Sequence, residues 1–493
     1  MKTNKNSIIA SVCLLCIAVA ALASCGDSGS EPVQTSAPTG ETTAAVTEPI
    51  RLYNDSLPTD LETEGKTLRS MTNSYDGDMR HARITAEEDG QGELINDAIY
   101  TTNLALAERF GITFEETCVE DATVEARRIV NAGDDVYDLI TTIDRDAYTL
   151  ASEGMMIALD SLKHVDLSQP WWNGTLNEAL TVGGRLWAGY SDAMLTSFDY
   201  THIILFNKDI ISAFDLDNPY DLVADGTWTF EKFAEMAEEV TSDINGDNVY
   251  DENDRYGWLS IAKHISPSFW VAAGVQTITK DENDIPVYTM GENQRMLDVL
   301  QLAYDMSWGD SYWYHVKELH GASVKEPPIF ANGNALFTST TFYTLFDSYY
   351  REIEFDYGII PYPKYDEAQE TYYSRVEGGN LCFVPVTCAD PDFAGAMMEA
   401  LACEFKNTVL PAYYEMGLKV KYSRDEQSGQ VLDLVMSNRI YDLGDTIYNA
   451  DIRDGFVFNA MTTGKAVTAS NIEKSVKKVS KRIEKMVEKL TEE

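Results

Sequence analysis

The chain has 493 residues, of which 80 are acidic and 38 basic, and its formal net charge is −42. An acidic excess of this size repels nucleic acid and anionic lipid surfaces and weakly disfavours polyanionic ligands, so a nucleic-acid-binding role is excluded. Hydrophobic residues make up 44% of the chain and aromatic residues 11%, which is enough to build the cores of two or three domains.

The N-terminus has the layout of an export signal. Two lysines precede an apolar stretch from residue 8 to 21, which ends in Leu22-Ala23-Ser24-Cys25. This ending resembles the bacterial lipobox, in which the cysteine is acylated and becomes the first mature residue. An uncleaved transmembrane helix is the alternative, but a span needs ~20 apolar residues. We therefore predict a signal peptide at 1–24 and lipidation of Cys25.

Residues 25–50 predict a disordered tether behind that anchor. They are rich in Ser, Thr, Pro, Gly and Glu and have almost no large apolar side chains with which to build a core. No later segment is apolar enough to span a bilayer. The expected location is extracytoplasmic, with the folded part held at the cell membrane by the lipid on Cys25.

Four cysteines remain after the signal and anchor cysteines are set aside: Cys118, Cys382, Cys388 and Cys403. They are too few and too scattered for a disulfide framework. One disulfide and four buried thiols are both compatible with the sequence.

Helices and strands alternate at short intervals in the first part of the folded region. The patterns predict a helix over 93–110 closed by Gly111, a strand over 112–118, a helix over 122–130 ending near Gly133, and a strand over 137–143. Such alternation favours an α/β fold with a mostly parallel sheet.

Ligands of α/β sheets bind beyond the carboxyl ends of the strands. Thr142, Asp144 and Arg145 lie at one such end and are candidate ligand residues. An ordinary polar loop is the alternative interpretation, because most loops are polar.

Three more helices are predicted further along the chain, over 230–240, 296–306 and 470–490. The last begins with a capping box formed by Ser470 and Glu473. Its apolar positions are Ile472, Val476, Val479, Ile483, Val487 and Leu490. This stripe could form a coiled-coil seam, although such stripes more often pack on their own domain.

An acidic loop has the spacing of a calcium site. Oxygen ligands at loop positions one, three, five, nine and twelve, with a backbone carbonyl at position seven, would come from Asp243, Asn245, Asp247, Asp251, Asp254 and Val249. Asn248 stands where EF-hand loops have glycine, and Asn tolerates a left-handed backbone better than most residues. We predict a structural Ca²⁺ site; the alternative is an acidic surface turn.

Five segments resemble, in order, motifs of the family 1 extracellular solute-binding proteins of ABC importers. They are GGRLWAGY at 183–190, LFNKDI at 205–210, TWTFEKF at 227–233, FANGNALF at 330–337 and YGIIPYPK at 357–364. Phe206 replaces the usual Tyr, and Phe342 and Tyr343 stand where many sugar binders carry Trp.

The resemblance implies a two-lobed, periplasmic-binding-protein-like α/β fold of the type II class, with a hinge and an interlobe cleft. Lobe one would comprise 66–190 and 329–372, and lobe two 198–328 and 379–493, with crossings near 190–198 and 372–379. The protein would be a monomer and not an enzyme. It would bind a small solute, by the same resemblance a sugar or oligosaccharide, and deliver it to the transmembrane subunits of an ABC permease.

A sugar offers flat C–H faces to aromatic rings and a rim of hydroxyls to carboxylates, amides and arginine. Eleven more residues become ligand candidates because they lie near the predicted crossings or in the regions that resemble the family. They add to the three candidates at the strand end. They are Trp187, Tyr190, Asp192, Asp199, Tyr200, Trp270, Phe342, Tyr343, Arg375, Glu377 and Gly378. The paired Trp171 and Trp172 could reach the cleft or serve as packing anchors.

Two other functions compete with solute delivery. Paired carboxylates are plentiful, so a surface glycosidase is one alternative. A partner that reports ligand to a membrane kinase is the other. No HExxH, GxSxG or Walker A sequence is present, and the six histidines show no metal-ligand spacing.

Overall fold

A computed structural model of the chain describes residues 51–491 except 75–80, 89–92, 249, 251–252, 310–328, 347–349 and 351. The predicted signal peptide, Cys25 and the tether lie outside the described residues. Residues from 50 onward form one compact unit. No helix within the described part combines the length and apolarity that a membrane crossing requires.

Thirteen strands lie in the described residues. In chain order they are β1 Thr67–Asn73, β2 Thr113–Val119, β3 Leu139–Ile143, β4 Met156–Ile157, β5 His202–Asn207, β6 Tyr256–Leu259, β7 Ile278–Lys280, β8 Pro286–Tyr288, β9 Ala335–Thr341, β10 Tyr357–Ile360, β11 Ser374–Arg375, β12 Asn380–Pro385 and β13 Arg439–Ile440.

Helices surround the strands. The α-helices are Leu94–Phe110, Ala122–Ala132, Asp144–Ser152, Gly174–Leu180, Thr196–Asp199, Lys208–Phe214, Pro219–Asp225, Phe230–Val240, Ala262–Ala272, Gln294–Tyr304, Phe342–Leu345, Pro391–Asn407, Val409–Pro411, Glu426–Ser437, Asn459–Thr462 and Ala469–Thr491. Asp305–Gly309, Ala412–Tyr422 and Arg453–Phe458 are π-helical, and Leu159–Ser161 is a 3₁₀ turn.

Two larger sheets form the framework. The first has the order β2-β1-β3-β12-β4, with β1 parallel to β2 and β3, and β12 antiparallel to β3 and β4. The second has the order β10-β5-β9-β6, in which only β6 and β9 run parallel. The α/β class is as predicted, but both sheets are mixed rather than mostly parallel.

Strand pairing corrects the predicted lobe boundaries. Residues 329–372 were assigned to lobe one, yet β9 and β10 pair within the second sheet beside β5. Residues 379–493 were assigned to lobe two, yet β12 pairs with β3 and β4 in the first sheet. These pairings join segments far apart in the chain, and local patterns carry no information about them.

Local signals explain many element ends. Thr229 caps the helix Phe230–Val240 by accepting a hydrogen bond from the Lys232 amide, and the helix buries Phe233 and Met236. Gly111 ends the first helix in a left-handed conformation with φ 64°, which favours glycine because it lacks a Cβ.

The C-terminal helix Ala469–Thr491 is present, but its predicted cap is wrong. Thr468, rather than Ser470, forms the capping box: its hydroxyl accepts from the Asn471 amide, and its own amide donates to the Asn471 side chain. The apolar stripe packs on β8 and on the helix Asp144–Ser152. It therefore belongs to its own domain and is not a coiled-coil seam.

The four cysteines that the sequence left open are free thiols in the described structure. Cys382, Cys388 and Cys403 are buried, and Cys118 is exposed. No disulfide therefore constrains these residues.

Candidate functional site

Three chain segments meet between the two larger sheets. Thr201, just before β5, forms an isolated bridge with Val376, so the first and second crossing segments run side by side. The Glu377 amide donates to the Tyr200 carbonyl at 3.1 Å. On the other side, β11 pairs in parallel with β13. The residues around these three segments form the junction between the sheets.

Asp144 lies at the carboxyl end of β3, where the sequence predicted a ligand residue. Its Oδ2 accepts from the Tyr441 hydroxyl at 2.6 Å and lies 3.4 Å from the Tyr190 hydroxyl, and its Oδ1 accepts from the Arg145 amide. Burial raises the pKa of Asp144 to about 6, although the Tyr441 hydrogen bond opposes that shift.

Gly378 is required by its contact with this carboxylate. Its φ is 136°, and an added Cβ would lie 2.7 Å from Asp144 Oδ2. The neighbouring Gly379 carbonyl accepts from the Asp144 amide at 3.0 Å. The second crossing segment therefore packs its backbone directly on the end of β3, which only glycine allows at position 378.

Arg375 lies at the centre of a buried ion network. It is 1% exposed and binds Asp445 with two hydrogen bonds, at 2.6 Å from Nε and 2.8 Å from Nη2. Its Nη1 lies 3.0 Å from His202 Nε2 and 3.0 Å from His264 Nδ1. Arg453 reaches Asp445 as well, at 3.2 Å. The fork geometry of arginine suits this bidentate, buried role.

We call this set the junction cluster. Its members are Asp144, Tyr190, His202, His264, Arg375, Glu377, Tyr441, Asp445 and Arg453.

Part of the cluster has the spacing of metal ligands. His202, His264 and Glu377 each place a ligand atom within 4.8 Å of the others. The same two imidazole nitrogens, however, lie 3.0 Å from Arg375 Nη1 and 3.1 and 3.2 Å from Glu377 Oε2. The guanidinium is a fixed cation that already faces all three groups, so the geometry fits a hydrogen-bonded ion network.

The charge state of this network follows from its burial. Burial and the adjacent Arg375 lower the pKa of His202 and of His264, so both imidazoles are neutral near pH 7. Burial alone would raise the pKa of Glu377, but the facing His264 and Arg375 side chains hold it well below its usual range. Arg375 and Arg453 therefore face an ionised Glu377.

Several buried polar atoms along the two crossing segments lack hydrogen-bond partners within the described residues. They are Ser197 Oγ, His202 Nδ1, Ser374 Oγ, and Oδ1 and Nδ2 of Asn380. All four residues are at most 3% exposed. Buried polar groups are normally paired, so such a concentration marks places where a ligand hydroxyl or an ordered water would recover a hydrogen bond.

The structure brings five of the predicted ligand residues to the junction: Asp144, Tyr190, Arg375, Glu377 and Gly378. Two others on the first crossing segment tie it to neighbouring elements. Asp192 pairs with Lys406 at 2.9 Å, and Asp199 accepts from His81 at 2.8 Å and from Tyr413 at 2.9 Å. Burial raises the pKa of Asp192 to about 6, against the effect of Lys406.

The remaining predicted ligand residues are not members of the junction cluster, although Arg145 and Tyr200 touch it through their backbones. Thr142 is buried within β3 beside Thr123, and Trp270 and Phe342 are fully buried. Arg145 is on the surface, 3.6 Å from Asp146. Trp187, Tyr200 and Tyr343 are partly buried. The indole nitrogen of Trp187 is buried and has no hydrogen-bond partner among the described residues.

Trp171 and Trp172 are packing anchors. Both are buried, and their indole nitrogens donate to Glu399 at 3.0 and 2.9 Å. We expect Glu399→Leu to lower the free energy of unfolding by about 2 kcal/mol, because two buried N–H groups lose their acceptor. Glu399→Gln keeps one acceptor oxygen and should lose less. Urea unfolding of the two variants tests this; equal stabilities would contradict the assignment.

The predicted calcium loop is described in part. Asp243 accepts from the Gly246 and Asn248 amides at 2.6 and 2.7 Å, and Asp254, fully buried, accepts from the Ile244 amide at 2.9 Å. Asn248 is left-handed with φ 64°, as predicted for that position. Val249 and Asp251 lie outside the described residues. The loop therefore folds around its first and last carboxylates.

Sequence reasoning missed five members of the cluster: His202, His264, Tyr441, Asp445 and Arg453. His202 and His264 belong to no sequence motif. They are distant in the chain, and both contact Arg375, which lies on a third segment. The one available sequence signal was the acidic turn that contains Asp442 and Asp445. In the structure Asp442 is buried and accepts a hydrogen bond from the Thr277 amide.

Comparisons with protein-family models and with curated protein sequences find no match. Solved structures do match in fold. The ABC substrate-binding protein Lmo0181 from Listeria monocytogenes, in complex with cycloalternan, is 12% identical, with a TM-score of 0.55 over 85% of this chain and 100% of that one. The maltose/maltodextrin-binding domain MalE from Bdellovibrio bacteriovorus, bound to maltotriose, is 13% identical, with a TM-score of 0.52 over 85% and 100%.

A third similar structure is the GacH receptor of Streptomyces glaucescens GLA.O, determined unliganded and with acarbose. It is 10% identical, with a TM-score of 0.54 over 85% of this chain and 98% of that one. These matches span the full length of the solved proteins and confirm the predicted fold class. The chain therefore has the α/β, periplasmic-binding-protein-like fold that these ABC substrate-binding proteins share.

Proposed function

We propose that this protein captures a carbohydrate at the junction between its two larger sheets and delivers it, chemically unchanged, to an ABC permease. The observation that carries the proposal is the full-length fold match to substrate-binding proteins solved with oligosaccharides or with acarbose. The five predicted ligand residues that meet at the junction support it, because they lie where the two halves of such a fold join.

The chemistry of the junction suits a polyhydroxylated ligand. Tyr190 offers a ring for C–H faces, and Asp144 and Glu377 offer acceptors for hydroxyl groups. The unpartnered buried atoms of Ser197 and Asn380 add both donors and acceptors. A guest with many hydroxyls could pair these atoms when the halves close around it, which would offset the cost of their burial.

A glycan panel tests the proposal. A ligand that binds the native state must raise its stability, so at least one oligosaccharide should raise the melting temperature in proportion to the logarithm of its concentration. Amino acids and dipeptides at the same concentrations are the control and should leave it unchanged. A shift only with amino acids or dipeptides, or recovery of a cleaved glycan, would overturn the proposal; cleavage would instead favour the glycosidase alternative.

We further propose that the chain acts outside the cytoplasm, tethered to the cell membrane by a lipid on Cys25. The lipobox-like ending and the polar tether supply the support. Mass spectrometry of the N-terminal peptide from native membranes would detect a diacylglyceryl-modified Cys25. An N-terminal peptide that begins before Cys25 and carries no lipid would refute the anchor.

We also propose that the loop from Asp243 to Asp254 binds one structural Ca²⁺ ion. The inward-turned carboxylates of Asp243 and Asp254 support it, since a hard cation takes 6–8 oxygen ligands. With an affinity on the order of 10⁻⁴ to 10⁻³ M, typical of extracellular modules, ~10 mM Ca²⁺ should stabilise the protein by about 1–3 kcal/mol.

Thermal melting with Ca²⁺, with Mg²⁺ and with chelator measures that stabilisation. Asp243→Ala should abolish the response to Ca²⁺. Asp281→Asn is a matched control, because Asp281 organises another acidic turn by accepting from the Asn283 and Ile285 amides. It should keep the response. A calcium response that survives Asp243→Ala would place the ion elsewhere.

A further inference from the structure

The C-terminal helix Ala469–Thr491 has a charge opposite to that of the protein. It carries seven basic and three acidic residues in a chain whose formal net charge is −42. All seven basic side chains are exposed. They are Lys474, Lys477, Lys478, Lys481, Arg482, Lys485 and Lys489.

Helix geometry gathers most of these charges into one row. Residues three and four apart are neighbours on a helix, so Lys474, Lys478, Lys481, Lys485 and Lys489 follow one another along the same side. At 1.5 Å per residue the row is about 22 Å long. The buried residues of this helix, including Ile472, Val479 and Ile483, lie on the opposite side.

Most of the row is unpaired. Lys478 and Arg482 contact Asp451, at 2.8 and 3.6 Å. Lys474, Lys481 and Lys485 form no ion pair with any residue that the structure describes, although acidic residues outnumber basic ones two to one. Like charges three and four residues apart repel each other, and Glu484 and Glu488 offset only part of the row, which leaves a net positive face open to an external anion.

We propose that this row, here called the lysine face, docks on an anionic lipid surface and sets how the protein sits above the membrane. Six of the seven cations are lysines, which are flexible point charges suited to a diffuse anionic surface. A specific carboxylate or phosphate site would favour the rigid fork of arginine. Five large apolar residues of the helix are buried and, of the large ones, only Val476 is exposed, too little apolar surface for insertion, so the contact is electrostatic and peripheral.

The acidity of the rest of the chain does not oppose this docking. Charges are screened beyond about 8 Å at physiological salt, so only the face nearest the lipid contributes. Because anionic lipid repels the acidic faces of the protein, it favours the orientation in which the lysine face meets the membrane. The inference rests on the proposed membrane tether, whose 26 residues extend to about 85 Å at ~3.3 Å per residue and allow any face to reach the surface.

Lysine labelling on vesicles tests the inference. Residues 26–493 with an N-terminal histidine tag are held on vesicles by a nickel-chelating lipid, so the assay does not depend on acylation of Cys25. The vesicles contain phosphatidylcholine alone or phosphatidylcholine with phosphatidylglycerol. Amine labelling of Lys474, Lys481 and Lys485 should fall several-fold only on the phosphatidylglycerol vesicles and recover in high salt. Lys163, exposed on another face, should label equally on both.

Two triple variants complete the test. Replacing Lys474, Lys481 and Lys485 by Glu should remove the protection of the remaining lysines on the helix, while replacing them by Arg should retain it. The melting temperature checks that both variants fold. Equal labelling on the two vesicles, or protection that high salt does not reverse, would overturn the inference. Glycan binding is measured separately, so its failure would not affect this result.

Discussion

Replacing Arg375 by Ala should lower the free energy of unfolding by about 3–5 kcal/mol, because it leaves a buried carboxylate without its principal partner. Asp445 is fully buried and takes two hydrogen bonds from Arg375, at 2.6 and 2.8 Å. Without the guanidinium, Arg453 alone would face Asp445 and Glu377. Urea unfolding of the wild type and the variant measures the loss.

Two further variants serve as controls for the Arg375→Ala result. Arg127→Ala removes a bidentate ion pair with Glu153 on the surface, where such pairs contribute about 0–1 kcal/mol. A double variant, Arg375→Met with Asp445→Leu, removes both buried charges and should recover part of the lost stability. If Arg375→Ala costs no more than Arg127→Ala, the network does not hold the junction together.

The second large effect is a pH dependence carried by Asp144. Its pKa is about 6 in the folded chain, raised by burial above the ordinary value of 3.8. The folded protein therefore holds a proton that the unfolded chain has released, and the stability from that proton is complete below about pH 4 and lost as the pH rises through 6. Two pKa units correspond to about 3 kcal/mol.

Comparison with Asp144→Asn isolates this contribution, because His202, His264 and the other titrating groups are common to both proteins. The free energy of unfolding of the wild type, relative to the variant, should fall by about 3 kcal/mol between pH 4 and pH 7. Asp146→Asn changes a partly exposed carboxylate on the same helix and is the matched control, which should not reproduce this difference. Parallel curves for the wild type and Asp144→Asn would contradict the raised pKa of Asp144.

Local sequence signals predict the bounds of a helix more accurately than they predict which of its sides is buried. The helix Phe230–Val240 was predicted to the residue, because Thr229 caps it and its apolar spacing is regular. In the first helix the apolar residues Leu94 and Leu104 are exposed, whereas Leu106 and Phe110 are buried. The neighbouring helix Pro391–Asn407 decides which face is covered, and it comes from a distant part of the chain.

The same distinction applies to the site. Asp144 was found because the carboxyl end of a strand in an α/β fold is visible in the sequence. Arg375 and Glu377 were found through the family resemblance and the predicted crossing. His202, His264 and Asp445 were missed, because only the packing of β5, β13 and the helix Ala262–Ala272 around β11 brings them to Arg375.

The central claim is that a carbohydrate binds where the crossing segments meet. Hydrogen–deuterium exchange of the chain, with and without a saccharide that raises its melting temperature, tests this most directly. We predict slower exchange over residues 190–202, 374–380 and 439–446, unchanged exchange in β1 and β2, and recovery of the intact saccharide. Slower exchange confined to the outer surface of one sheet, with residues 190–202, 374–380 and 439–446 unaffected, would contradict the account.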